Sequence, residues 1–164
     1  MAVDLFLKID GIDGESQKDG HKGEIDIDSF SFGAVQHGSF HTGGGGGGSG
    51  KAEITDISIS KQVDKASATL YKFCASGKHI PKVVLYSQKA GDGEKPLTYY
   101  TITLDDVIVS NIQNSGSNHG DSILESVSFN TAKLTFEYQA QGKDGAKDGG
   151  VVKASYDIRE NKVA

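Results

Sequence analysis

Tryptophan is missing from the 164-residue chain, cysteine and methionine occur once each, proline twice, and arginine once, as Arg159. A single cysteine, Cys74, excludes a disulfide within the chain. The fold therefore matures in a reducing compartment or without oxidation. One arginine and a net charge of −5 leave no basic face to neutralise phosphates and almost no base reader, which argues against nucleic-acid binding. No apolar run reaches membrane-spanning length, so no membrane insertion is expected. Met1 to Asp10 alternates apolar and charged residues, without the basic and apolar regions of a secretory signal. Export, if it occurs, then needs a dedicated machine. The missing tryptophan also weakens a carbohydrate-binding reading, which wants an aromatic platform.

What is abundant is glycine, 22 residues, against a modest 36% hydrophobic content. That balance suits a β protein with many turns. Val3, Leu5, Leu7 and Ile9 alternate with polar residues as a strand does, and Phe6 on the opposite parity indicates that this second face is covered too. Gly11 to Gly23 reads as a loop. Further strands are expected from Glu24, over Ala52 to Val63, Val83 to Tyr86, Leu97 to Leu104, Val107 to Ile112, Leu124 to Tyr138, and Val152 to Ile158. Three of them switch apolar parity midway, as bulged or bent strands do. One is Ile25 and Ile27 followed by Phe30 and Phe32, which leaves Ser31 facing away from the two phenylalanines. One helix is predicted, capped by Ser67, with Leu70, Phe73 and Cys74 on its buried stripe, Gly77 at its end and Pro81 forbidding continuation. Lys143 to Gly150, KDGA then KDGG, reads as a polar loop of two turns. The expected fold is all-β in a single domain, 1–164: a compact β-barrel of two sheets with a flanking helix and a long glycine-rich loop.

That loop holds six consecutive glycines, Gly43 to Gly48, then Ser49, Gly50 and Lys51. Gly45 to Lys51 matches the glycines and lysine of a phosphate-binding loop. Ala52 stands where that motif needs a hydroxyl, and a strand rather than a helix follows. The GxGxxG match is trivial within a homopolymer. GxSxG around Ser49 fails at Lys51. His37 and His41 have a spacing some zinc sites use, but no partner pair completes a tetrahedral set, so no metal and no cofactor is expected. Asp10, Asp13 and Glu15 lack calcium-loop spacing. His79 and His119 stand alone, Asp105 and Asp106 read as a solvated turn, and Cys74 as a small buried hydrophobe. No set of acid, base and nucleophile emerges, and the protein is read as a non-enzyme.

Several stretches in order resemble one family. They are the opening MAVDLFLKIDGIDGES, IDIDSFSFG at Ile25 to Gly33, GSFHTGGGGGGSGK at Gly38 to Lys51, KQVDKASATL at Lys61 to Leu70, SGKHIP at Ser76 to Pro81, and KDGAKDGG with SYDIREN in the last 22 residues. Together they resemble the Hcp (haemolysin-coregulated protein) family of bacterial type VI secretion over essentially the whole chain. Ala68 departs from a common proline at the helix start, and Phe30 and Phe32 from frequent tryptophans. The resemblance implies a structural subunit that forms hexameric rings stacked into a tube, driven out by a contractile sheath behind a spike protein, with small effector proteins in the lumen. It implies assembly in the bacterial cytoplasm and secretion without a cleaved signal peptide. The ring-stacking loop would comprise Gln36, His37, Gly38, Ser39, His41, Gly43, Gly44, Gly45, Gly46, Gly47, Gly48, Gly50 and Lys51, and Ser31 would be a lumen contact for cargo. Fixing six glycines costs on the order of 6–12 kcal/mol, so the loop is expected to be held firmly only where the next ring docks. The alternatives are a monomeric β-sandwich binding module, an enzyme, and, for the glycine run alone, a flexible engineered linker.

Overall fold

The computed structural model describes residues 3–38, 50–91, 93 and 95–164. The elements are β1 (Asp4–Ile9), β2 (Ile25–Asp26), β3 (Ser29–Ser31), β4 (Ala34–Val35), β5 (Glu53–Ile54), β6 (Ile57–Gln62), α1 (Ser67–Ser76), β7 (Ile80–Lys89), β8 (Leu97–Ser115), β9 (Leu124–Tyr138), β10 (Val152–Asp157) and β11 (Lys162–Val163). Nine strands form one antiparallel sheet with the order β11-β10-β9-β8-β7-β1-β2, and β6 branches from β9 to carry β3. A second sheet is the two-stranded ribbon β4–β5. The mainly β architecture, the two sheets and the single helix agree with expectation. The compact β-barrel is supported only in part, because the sheet does not close. The chain between β1 and β6 breaks into β2, paired with β1, and β3, paired with β6, so no continuous ladder closes. Two backbone bonds, Ile27 N to Leu5 O at 3.2 Å and Asp28 N to Ser60 O at 2.8 Å, span the break. That break lies at the predicted parity switch, and the one between β5 and β6 lies at the switch from Ile54 to Ile57.

The predicted strands Leu97–Leu104 and Val107–Ile112 are one 19-residue strand, β8. Asp105 and Asp106 are not a turn. Asp106 takes φ 54° inside the strand and lets it change faces without ending. β9 switches parity opposite this point, where the Thr131 hydroxyl lies 2.9 Å from the Asp105 carbonyl oxygen. Inward residues before and after the bend, including Ile57, Ile59, Val127, Phe129, Ile102 and Leu104, share one buried core with Leu70 of α1. The helix ends as predicted: Gly77 takes φ 66°, and its N–H bonds the Phe73 carbonyl. Its start differs. Ala66 is the cap residue, without a side-chain bond, and Ser67 is the first helical residue.

Phe6 is buried, as its parity suggested. The loop after β1 folds back over it, and the His21 ring stacks on Phe6 with centroids 4.2 Å apart. Gly14 permits that fold: a Cβ there would sit 2.3 Å from the Glu24 carbonyl oxygen. Among the described residues, no helix is long and apolar enough to cross a membrane.

Candidate functional site

Three short stretches, Ser29–Ser31, Ile57–Ser60 and Ser126–Ser128, alternate serine with a large apolar residue. Period-2 geometry sends the apolar set to the core and the serines to the opposite face. The register places them side by side. One row runs Ser31, Ser58, Ser128, Asn111, and the next Ser29, Ser60, Ser126, Gln113, across β3, β6, β9 and β8. Ser29 and Ser60 hydroxyls lie 2.6 Å apart, and Ser58 and Ser128 hydroxyls 2.9 Å apart. Ser29, Ser31, Asn111, Gln113 and Ser126 are exposed. Ser31 is thus on the outward face, opposite Phe30, whose ring packs 5.5 Å from that of Tyr100. The result is a four-strand-wide surface with hydrogen-bonding groups and no formal charge in either row.

The charges these segments do carry are turned inward. Lys61 on β6 and Glu125 on β9 are directly paired and are 0% and 2% exposed. Lys61 Nζ donates to Glu125 Oε2 and to Asp64 Oδ1, both at 2.8 Å, and to Ser67 Oγ at 3.1 Å. The Ser67 hydroxyl also reaches Glu125. This is why Ser67 does not cap the helix. Its oxygen joins Asp64 and the Gln62 carbonyl in the shell of the buried ion pair. Sequence reading missed this pair, whose members lie far apart in the chain; the alternation of serine with isoleucine and valine was the available signal for the outer face.

The glycine-rich loop leaves from β4–β5. Ala34 pairs with Ile54 and Val35 with Glu53, and Gly33 N donates to Thr55 Oγ1 at 2.7 Å. Gln36, His37 and Gly38 on one side and Gly50 and Lys51 on the other are exposed. His37 Nε2 approaches Glu53 Oε2 at 3.8 Å, both on the surface. The remaining predicted loop residues, Ser39, His41 and Gly43 to Gly48, lie outside the described residues. The phosphate-loop reading meets the predicted obstacle, since Lys51 leads into β5 rather than into a helix.

Two histidines have partners that the sequence hid. His79 Nδ1 lies 2.8 Å from Asp106 Oδ1, and Arg159 donates to Asp106 Oδ2 at 3.0 Å. The His79 hydrogen bond holds the Asp106 carboxyl below its usual pKa, against desolvation and with the smaller help of the nearby His79 and Arg159 charges. His21 Nδ1 sits 2.6 Å from Glu24 Oε2, and its Nε2 2.7 Å from the Gln88 amide nitrogen. Burial, then Glu24 and Glu137, push the Tyr86 phenol upward, and burial, then Tyr99, does the same to Tyr100. Cys74 is half-buried on its predicted stripe. Among the described residues, no group of three or more His, Cys, Asp or Glu is placed to hold a metal ion.

Residues 6–138 match the family described as "Type VI secretion system effector, Hcp". The chain is 46% identical to Protein hcp1 of Pseudomonas aeruginosa over 161 residues, 98% of each chain. Its fold superposes on Hcp1 from Salmonella typhimurium with a TM-score of 0.82 at 39% identity, covering 100% of both chains. It also superposes on a structure described as a type six secretion system protein, with a TM-score of 0.92 at 28% identity, covering 99% of this chain and 100% of that one. With the matching motifs, the near-complete coverage and the shared fold in agreement, this chain belongs to the Hcp family of type VI secretion proteins.

Proposed function

We propose that the protein is a tube subunit: it closes into a hexameric ring, rings stack, and the serine face lines the passage through which small effector proteins are held and carried. The observation that carries this reading is the uncharged face of β3, β6, β9 and β8. A polypeptide moving along these two rows finds no fixed charge in them to trap it, and the neighbouring Asp56 carboxylate is held by Ser110 at 2.6 Å and Asn130 at 2.9 Å. Hydroxyl and amide groups can exchange hydrogen bonds with water and with cargo at little net cost. A ring also covers sheet edges. β10 is covered by β11 and Ala164 from Ser155 to Asp157, which leaves the β10 edge near Val152 and Lys153 open to a neighbouring subunit. Val152 itself is 66% exposed. On this reading the subunit has a structural role without catalysis, its further partners are the spike and sheath, and it passes from the bacterial cytoplasm to the outside within the machine.

The decisive measurement is solution mass followed by negative-stain microscopy. Annular particles of six subunits with a central hole are expected; a sharp monomer would support the binding-module alternative and sink the proposal. Ser31→Gln tests the lumen assignment separately. It enlarges an exposed side chain on the serine face, so rings should form normally while co-purifying cargo falls. Unchanged cargo retention in intact rings would remove Ser31 from the passage.

A further inference from the structure

Beside its two neutral rows the serine face carries a third row that is charged. Asp56 stands two residues before Ser58, and Asn130 two residues after Ser128, so period-2 geometry puts both on the outward side. Their contact settles the face: Asn130 Nδ2 donates to Asp56 Oδ1 at 2.9 Å. The Ser110 hydroxyl donates to Asp56 Oδ2 at 2.6 Å. Ser110 is the extra residue where the β8–β9 register shifts, between Val109 and Asn111. Asp56, Ser110 and Asn130 are all exposed. Two strand steps, about 7 Å, thus separate a fixed negative charge from the neutral row of Ser58.

Other exposed carboxylates meet cations, as Asp4 meets Lys18 and Asp106 meets Arg159. Asp56 is held by neutral donors alone among the described residues, so its charge is not compensated locally. A carboxylate has about four lone-pair sites, and one on each oxygen is taken. Held from two sides, the group is already ordered and has little freedom to lose on meeting a ligand. We propose that Asp56 is a charge selector on the wall of the passage: it engages lysine or arginine side chains of the proteins carried there. The inference rests on the lumen reading and deepens it by naming the chemistry of the cargo. Ammonium and guanidinium groups only donate, so they can take the free lone pairs while Ser110 and Asn130 keep theirs. One exposed pair is weak. Six copies in a ring form a band at one level, where several weak contacts retain a basic segment and still let it go. The competing role is purely structural, with Asp56 pinning the β8 bulge to the start of β6.

Asp56→Asn separates the two roles. Its amide oxygen can accept from Ser110, and its amide nitrogen can donate to Asn130 once that amide turns over, so both bonds survive without the charge. Binding to purified rings is read by fluorescence anisotropy of a short unstructured lysine-bearing peptide and of one with glutamates in place of the lysines. Parent rings should bind the lysine peptide about three- to fivefold more tightly than Asp56→Asn rings at low salt, and the difference should vanish near roughly 0.5 M salt. The glutamate peptide should lose no affinity in the variant. Equal lysine-peptide affinity in both rings overturns the selector. Ser31→Gln rings locate the failure: if that change weakens the lysine peptide and Asp56→Asn does not, the passage stands and the selector falls, and if neither does, both fall. Zero-length carbodiimide coupling on parent rings needs no variant. Mass spectrometry should find the lysine peptide on Asp56, and coupling confined to other carboxylates, such as Glu137 on the opposite side of the bend, overturns the proposal even where Asp56→Asn fails to assemble.

Discussion

β8 and β9 each belong to two surfaces, and the chemistry of their outer faces changes where they bend. On the Leu97–Asp105 and Lys133–Tyr138 side, cross-strand partners alternate in sign: Lys82, Asp105, Lys133, Asp157 in one row, and Glu137 beside Lys153 in another. The bridges themselves are long, 3.8 Å for both Lys82–Asp105 and Lys153–Glu137. Such exposed pairs contribute little stability. Beyond Asp106 and Thr131 the outward rows are serine, asparagine and glutamine, while Lys61 and Glu125 point into the core. The sheet therefore keeps charges in water on one side of the bend and buries Lys61 of β6 with Glu125 of β9 on the other. A surface that only has to stay soluble tolerates ion pairs. Two rows free of charge required the lysine and glutamate of their own strands, Lys61 and Glu125, to be accommodated inside.

The largest effect should come from breaking that inward pair. Lys61→Met leaves Glu125, 2% exposed and already carrying one unpartnered oxygen, with no counter-charge. A loss of about 3–5 kcal/mol is expected from denaturant unfolding at fixed protein concentration. Adding Glu125→Leu should recover most of it, because a matched apolar pair avoids the desolvation penalty. If the double variant is no more stable than Lys61→Met, the pair is not the origin of the loss. If Lys61→Met alone costs under about 1 kcal/mol, the contrast between the two sides loses its energetic basis.

How much of this could be read in advance follows from the range of each signal. Period-2 alternation is local, so Leu124–Tyr138 was delimited to the residue and the parity switches located the breaks in the other strands. Gly77 marked the helix end because a positive φ is a local demand. The Asp105–Asp106 pair misled because a bulge with one left-handed residue and a turn have the same sequence signature. Ser67 misled because its preference for a helix cap was outweighed by a tertiary demand from Lys61 and Glu125. β11 has only two residues and is paired entirely by context. The barrel was legible only in part, because closure depends on whether β2 and β3 form one ladder, which no local pattern decides. Of the site, Ser31 was legible from parity alone. The two rows of four needed the register of four strands.

A smaller effect separates the two sides by pH. Tyr86 belongs to the charged side, and its pKa in the fold is raised above 10.0 by burial and then by Glu24 and Glu137. The folded protein thus holds the phenolic proton more tightly than the unfolded chain does. That contribution is fully present below the unfolded value and is lost as pH climbs through the raised folded value. Stability should decline from about pH 10 upward, and Tyr86→Phe should flatten part of that decline. A Tyr86→Phe variant with an unchanged alkaline limb would show that the side is insensitive to this phenol.

The smallest expected effect sits at the bend itself. Asp106 keeps a left-handed backbone at φ 54° and contacts His79 and Arg159 at the surface. Asn is the conservative probe, since it shares tolerance for positive φ while lacking the charge. The carboxyl titrates below 3.8 in the fold, chiefly because it accepts a hydrogen bond from His79. Its stabilising contribution is therefore complete above the unfolded pKa and disappears as pH falls through the lower folded value. Near neutrality Asp106→Asn should change the melting temperature only slightly, as exposed ion pairs generally do. Below about pH 4 the gap between the variant and the parent should close. Asp106→Ala should instead be destabilised at every pH, because alanine tolerates positive φ poorly. If Asn and Ala behave alike across the range, the bend is maintained by its ionic contacts. If only Ala suffers, the backbone conformation of one residue divides the charged side from the neutral one.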